Sequence, residues 1–318
     1  MPTKTICIDS LFCNNATDFV YTFEQPLTKV INTRITSVEI PNLWYDFSSK
    51  VRNNQFTIQF FNMEDLPDSE CVVTIPDGNY VSSELSRLMN VYFMNNILLS
   101  RLVFKINEVN AKSVIYVNEN SDNAPAPYLT FLTTYAPDFY YIVNFAIPGL
   151  PLQQTAGWMM GFRQPSYTIG INNVYRDITN SLSAIPSSIG GYEIDPGWIT
   201  STLQLGFLES ESSYGSTAYN YVYIELDDYT NYHHVNFITN LLINGECLGK
   251  KLLAKIPITG SHNTIITNNA GDMIFKTREY FGPVKIDKMR IRVLNPFGNV
   301  IDLNQNSFSL TIECELMI

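Results

Sequence analysis

Few residues in this 318-residue chain are of types that do acid-base, metal or nucleophilic chemistry, and their spacing limits what they can do. Glu225, Asp227 and Asp228 end a tyrosine-rich strand, where paired carboxylates could serve as general acid and base or take up calcium. Asp-Asp before Tyr229 is also ordinary turn chemistry, and a turn is the expectation here. There are three histidines. His233 and His234 are adjacent and would point to opposite faces of a strand, while His262 has no ligand-like spacing to either, so no metal site is expected. Cys13 has no histidine near it in sequence to activate its thiol. Gly190-Gly191 lacks the lysine and following helix of a phosphate-binding loop, and there is no G-x-S-x-G elbow. No catalytic residues and no cofactor are expected, and a glycosidase built on Asp227 or Asp228 is only a third-ranked reading.

The elements that would carry these residues are strands. The chain is 45% hydrophobic and 13% aromatic but only 16% charged, a composition that suits strands and neutral polar turns better than surface helices. Much of the surface must then be uncharged, as contact surfaces in assemblies often are. Twenty basic residues against thirty acidic ones give a net charge of -10 without a Lys or Arg cluster, which argues against a nucleic-acid partner. Five scattered cysteines, Cys7, Cys13, Cys71, Cys247 and Cys314, have neither metal nor disulfide-framework spacing and read as free thiols. No signal-like start and no apolar run long enough to span a bilayer is present, so synthesis in the cytoplasm and no membrane span are expected.

The last forty residues are the most legible. Met289, Ile291 and Val293 alternate with Lys288, Arg290 and Arg292, and Phe308, Leu310, Ile312, Cys314 and Leu316 alternate with Ser309, Thr311, Glu313 and Glu315. That is the period of half-buried antiparallel strands. Their charges would allow Lys288 opposite Glu315 and Arg290 opposite Glu313. However, the loop from Asn295 to about Ser307 is long for a hairpin, and each strand could instead pair near the N-terminus. Upstream, Phe19–Phe23 reads as a strand ended by Pro26, Val30–Ile40 as a second and Gln55–Phe61 as a third. One helix is expected where Val81, Leu85, Leu88, Met89, Tyr92 and Phe93 recur at helical spacing, capped by Ser82 with Glu84 in its first turn. Further strands are expected at 102–117, 128–147, 202–208 and 219–226, and an irregular excursion from Gln164 to Trp198.

Several segments resemble one family in order along nearly the whole chain. Asp9-Ser10-Leu11-Phe12-Cys13-Asn14-Asn15, Ile40-Pro41-Asn42-Leu43-Trp44-Tyr45 and Pro76-Asp77-Gly78-Asn79-Tyr80 are followed by Gly157-Trp158-Met159-Met160-Gly161-Phe162-Arg163 and Asp227-Asp228-Tyr229. Leu253-Ala254-Lys255-Ile256, Phe281-Gly282-Pro283-Val284 and the run Pro296 to Asn304 complete the set. Together they are similar to the penton and minor capsid protein family of nucleocytoplasmic large DNA viruses, the giant viruses. Leu11 and Cys13 depart from it, standing where that pattern often has arginine.

The resemblance implies an all-β chain: a single jelly-roll β-sandwich with inserted loops and one short helix. Residues 1–16 would be an N-terminal arm, free to reach adjacent capsomers, and 17–318 the jelly-roll domain with an inserted excursion around 164–200. In a jelly roll the last two strands lie in opposite sheets, which would pair Phe19–Phe23 with Phe308–Leu316 and Val30–Ile40 with Val284–Leu294. The implied function is a non-enzymatic virion protein, a penton forming homopentamers, with the major capsid protein and other minor capsid proteins as partners. The alternatives are a cement protein linking capsomers, or a carbohydrate-binding module using Trp198 and other aromatic residues between Tyr192 and Tyr223.

Overall fold

The alternation at the C-terminus becomes a strand buried on one face, with Leu310, Ile312 and Cys314 in the core. The computed structural model describes residues 1–61, 69–96, 98–100, 102–117, 140–170, 188–189, 192–193, 207–215, 218–234, 242–243, 246–247, 251–269 and 277–318. In chain order the strands are β1 (Thr3–Asp9), β2 (Asp18–Pro41), β3 (Gln55–Phe61), β4 (Ser69–Thr74), β5 (Leu102–Ile106), β6 (Lys112–Val117), β7 (Tyr140–Asn144), β8 (Ser166–Gly170), β9 (Ser188–Ile189) and β10 (Tyr192–Glu193). They continue as β11 (Phe207–Ser213), β12 (Tyr221–Asp227), β13 (Leu242–Ile243), β14 (Glu246–Cys247), β15 (Leu252–Pro257), β16 (Ile265–Asn269), β17 (Arg278–Leu294) and β18 (Ser309–Leu316). The helices are α1 (Ser82–Asn95) and the single turn α2 (Ala156–Met159). The chain forms two units, one from Met1–Trp44 with Tyr219–Ile318, the other from Tyr45–Ala218 between them.

In the first unit β2 is one 24-residue strand that serves two sheets. Its C-terminal half lies between β18 and β16, with Ser309 opposite Glu39 and Ile266 opposite Ile40. Its N-terminal half pairs with β17, from Lys288 opposite Thr22 to Arg292 opposite Asp18. β18 also pairs with β1, and β17 with β12, which pairs with β15. Counting the halves of β2 separately, the strands pair in chain order first with eighth, second with seventh, third with sixth and fourth with fifth, all antiparallel. This is one long hairpin rolled into two four-stranded sheets, a jelly roll. Ile8, Phe19, Ile35, Val38, Val222, Ile224, Ile256, Met289, Ile291 and Ile312 fill the space between the sheets. Burying each such side chain is worth roughly 1.5–3 kcal/mol.

The last two strands make no ladder with each other, and both flank β2. Arg290 therefore pairs with Asp18 and Glu313 with Arg34. The expected partners are exchanged: Phe19 and Tyr21 lie opposite Ile291 and Met289, while Val30–Glu39 runs along β18. Pro26 does not end the strand. Between Thr22 and Leu27 the ladder skips from Lys288 to Ile286, and the proline, which has no N–H to donate, sits in that bulge. Residues 1–16 are not a free arm. Ile6 and Ile8 are buried, and the alternation around them makes β1 a regular edge strand.

The second unit has its own core. A sheet in the order β4-β3-β7-β8, another in the order β11-β6-β5, and α1 contribute Phe56, Ile58, Tyr141, Phe145, Phe104, Ile115, Leu85, Met89 and Phe93 to it. The helix forms as the spacing predicts, but its N-cap position is Val81, which is exposed, and Ser82 makes no capping bond. Asn90 fixes α1 to β5 by donating to the Phe104 carbonyl at 2.9 Å and accepting from the Phe104 N–H at 2.8 Å. Of the expected 164–200 excursion, β8 pairs with β7, β9 pairs with β10, and 171–187, 190–191 and 194–200, with Trp198 and Gly190-Gly191 among them, lie outside the described residues.

Candidate interaction surface

The carboxylates at the end of β12 are committed to cations. Glu225 is buried and held by Arg292, its partner across the ladder. Asp227 accepts from Lys251 Nζ at 2.7 Å and from the Tyr229 N–H at 3.0 Å. Asp228 turns inward, accepting from Arg278 Nη1 at 3.0 Å, the Tyr280 hydroxyl at 2.6 Å, the Thr230 N–H at 3.0 Å and the Thr230 hydroxyl at 2.9 Å. The Asp228 and Arg278 side chains are 1% and 3% exposed. Burial alone would raise the Asp228 carboxyl pKa, but the Arg278 charge and the Tyr280 and Thr230 hydrogen bonds outweigh it and hold the group below the usual carboxylate range. A general acid needs the opposite shift. The same burial, reinforced by the Asp228 charge, drives the Tyr280 hydroxyl far above its ordinary value.

This buried network props up a strained turn. Tyr229 and Asn231 sit at φ +60° and +51°, left-handed backbone that costs a non-glycine residue roughly 1–2 kcal/mol. The Asp227 and Asp228 side chains hold it by accepting from the N–H two residues on. The chain then runs beside β17, with the Phe281 N–H donating to the Tyr232 carbonyl at 3.1 Å and the His234 N–H to the Glu279 carbonyl at 2.9 Å. Tyr232 and Phe281, 56% and 59% exposed, meet edge to face at 5.6 Å, His234 lies 4.2 Å from the Phe281 ring, and Lys288 Nζ sits 4.7 Å over Tyr229. Two of the motif segments, Asp227-Asp228-Tyr229 and Phe281-Gly282-Pro283-Val284, are thus brought together to display aromatic rings. Exposed rings on a fixed backbone are typical of protein contact surfaces.

A second display stands at the other end of the β18 ladder with β2. Ser10–Phe12 is a 3-10 turn whose Ser10 is buried, donating its N–H to the Phe308 carbonyl at 2.9 Å while its hydroxyl accepts from the Phe308 N–H at 2.9 Å. Asp9 caps the turn by accepting from the Leu11 N–H at 2.8 Å. Leu11 and Phe12 project into solvent, 67% and 85% exposed. Neither display was picked out from sequence. Aromatic residues are common throughout this chain, and only the left-handed backbone and the docking of Ser10 reveal which of them are held outward.

The remaining candidates are parts of the scaffold. His233 packs edge-on to Tyr280 and His234 against Phe281, on opposite sides, and His262 lies in a separate turn. Among the described residues no three His, Cys, Asp or Glu side chains converge on a point that could hold a metal ion. Burial and then the Asp9 charge push the Cys13 thiol up, the reverse of nucleophile activation. Tyr223 is buried with Leu252 and Leu294, Lys255 Nζ covers the Tyr221 ring at 3.9 Å, and the Tyr214 hydroxyl donates to the Tyr80 carbonyl at 2.6 Å, so these rings line no open shelf. Other motif residues build corners. Arg163 stacks 4.0 Å over Trp158 and donates to its carbonyl, Gly157 lies against Phe145, and Asn304 donates to the Leu43 carbonyl.

No protein-family model matches the chain, and no curated protein sequence matches it. Among solved structures it is similar to the mavirus penton protein, at 10% identity over 99% of each chain with a TM-score of 0.45. It is also similar to a chain of the Sputnik virophage structure determined by cryo-EM, at 10% identity over 99% of this chain and 98% of that one, with a TM-score of 0.39.

Proposed function

We propose that this chain is a structural virion protein, a penton that assembles as a homopentamer of jelly rolls at capsid vertices. The observation that carries the reading is how the capsid-family motifs are used. The acidic and aromatic ones support a jelly roll and hold apolar side chains in solvent, and none of them assembles a reactive group. A five-fold ring needs two different surfaces on each copy that meet across every contact and close. Tyr232 and Phe281, next to the Glu279–Asn32 pair, and Leu11 and Phe12, at the Glu39 end of the β18 ladder with β2, are two such surfaces on one unit. A permanent contact of this kind is expected to bury about 2,000 Å² or more. The major capsid protein and other minor capsid proteins are the surrounding partners, and the chain acts in the virion after synthesis in the host cytoplasm.

The test is a virion reconstruction. The reading expects density for this chain at five-fold vertices. Density only at two-fold or three-fold positions would overturn the penton and leave a cement protein that links capsomers.

A further inference from the structure

We propose that β1 is exchanged between neighbouring copies of this chain, so that in the assembly each copy's Thr3–Ser10 segment completes the sheet edge of the next. The pentamer reading sets only the expected number of copies. The exchange itself stands on how β1 is held. Among the described residues its ladder is made with β18 alone, seven register pairs from Thr3 opposite Glu315 to Asp9 opposite Ser309. Its buried side chains are Ile6 and Ile8, and the reciprocal Ser10–Phe308 bonds end the docked segment. Every one of these contacts is to β18 or to the core it covers, so a second copy offers an identical site and the exchange leaves the bonds of β1 unchanged.

What would favour the exchanged form is the connection. Leu11–Thr17 links β1 to β2 in the opposite sheet, and its backbone bonds are local, from the Leu11 N–H to the Asp9 side chain, the Cys13 N–H to the Ser10 carbonyl and the Thr17 N–H to the Asn15 side chain, until the Thr17 carbonyl accepts from the Val293 N–H at the start of β2. Seven residues reach roughly 23–25 Å when extended, enough to cross to an adjacent copy. The two most exposed large apolar side chains of this region, Leu11 and Phe12, lie at its start. In the closed monomer they face water. In the exchanged form they lie between the copy that gives β1 and the copy that takes it.

Cys7 and Thr311 are direct cross-strand partners, with Sγ and Oγ1 3.9 Å apart, so Thr311→Cys places two thiols where a disulfide can close across the β1·β18 ladder. The full-length variant, concentrated and fractionated by size, is oxidised and run on a denaturing gel without reductant, with Cys7→Ser in the same background as control. Exchange predicts Cys7-dependent bands linking two or more copies from the oligomer fraction. A band only at the mass of one copy, from oligomer or monomer, overturns exchange. So does failure of any Cys7-dependent bond to form, which would remove the ladder it rests on. The pentamer reading fails separately: a ladder closing at a number other than five keeps exchange and removes the pentamer, whereas five-copy particles with internal bonds only do the reverse.

Discussion

Replacing Asp228 by Asn keeps the shape of the side chain and removes its charge, leaving the Arg278 guanidinium, 3% exposed, without a counter-ion. Breaking a buried pair from one side costs about 3–5 kcal/mol, because the remaining charge, here held by the Lys251 carbonyl, is buried without a counter-ion. For a unit of this size each kcal/mol lowers Tm by about 3–4 °C, so a drop of roughly 10–20 °C is expected. Of the three tryptophans, Trp44 is buried in the jelly-roll core, and a Trp158→Phe, Trp198→Phe background makes its fluorescence the reporter for that unit. The pH dependence has a definite sign. Since the folded Asp228 carboxyl titrates below its ordinary 3.8, its stabilising contribution is fully present above that value and is lost as pH falls through the lower folded one. The gap between wild type and Asp228→Asn must therefore narrow below about pH 4. Removing both charges, with Asp228→Leu and Arg278→Met, should recover most of the loss. A single-variant cost under about 1 kcal/mol, or a gap unchanged in acid, would refute the account.

Tyr280→Phe removes the 2.6 Å bond to Asp228 and should cost about 1.5–3 kcal/mol in the same Trp44 assay. Gly157→Ala would set a Cβ 2.3 Å from the Phe145 ring and should destabilise the inserted unit by about 1–3 kcal/mol, read from Trp158 fluorescence on denaturation. Tyr232→Ser with Phe281→Ser should change stability by only about 0.5 kcal/mol, since both rings are more than half exposed, yet abolish incorporation into particles on co-expression with the other capsid proteins. Purified protein should release no sugar from a glycan panel, and turnover lost on Asp227→Ala without unfolding would restore the glycosidase reading.

The strands that flank β2 were legible because each has one buried face: the alternation of Met289–Val293 and Phe308–Leu316 survives any choice of partner. Their partners were harder to read, since β2 looks like two strands divided at Pro26 and nothing local distinguishes a stop from a bulge. Taking Phe19–Phe23 as the first jelly-roll strand, with Thr3–Asp9 read as part of an arm, exchanged the pairing. The strands and helix of the inserted unit were read as parts of one jelly-roll domain because no Gly- or Ser-rich linker marks Trp44–Tyr45 or Ala218–Tyr219. The turn at Asp228 was foreseen as a turn, but its burial depends on Arg278, fifty residues on in sequence, which no spacing rule connects to it.

The position of β2 has a consequence for how the protein is made. Once residues 1–44 leave the ribosome, this 24-residue strand has none of β16, β17 or β18 to pair with, because all of them follow the insert. At about 5–20 residues per second, synthesis of residues 45–218 alone takes roughly 10–35 s. The inserted unit makes its own ladders and can fold in that interval, while β2 waits as an unpaired, aggregation-prone edge. β1 finds its ladder in β18, and the far half of β2 finds its partners in β16, β17 and β18, so the first jelly-roll strand cannot dock until the last is made. Translation order thus acts as a checkpoint: a chain cut short before Ser309 carries a finished insert on an open sheet, and leaves β1 and Ser10 without the strand that docks them.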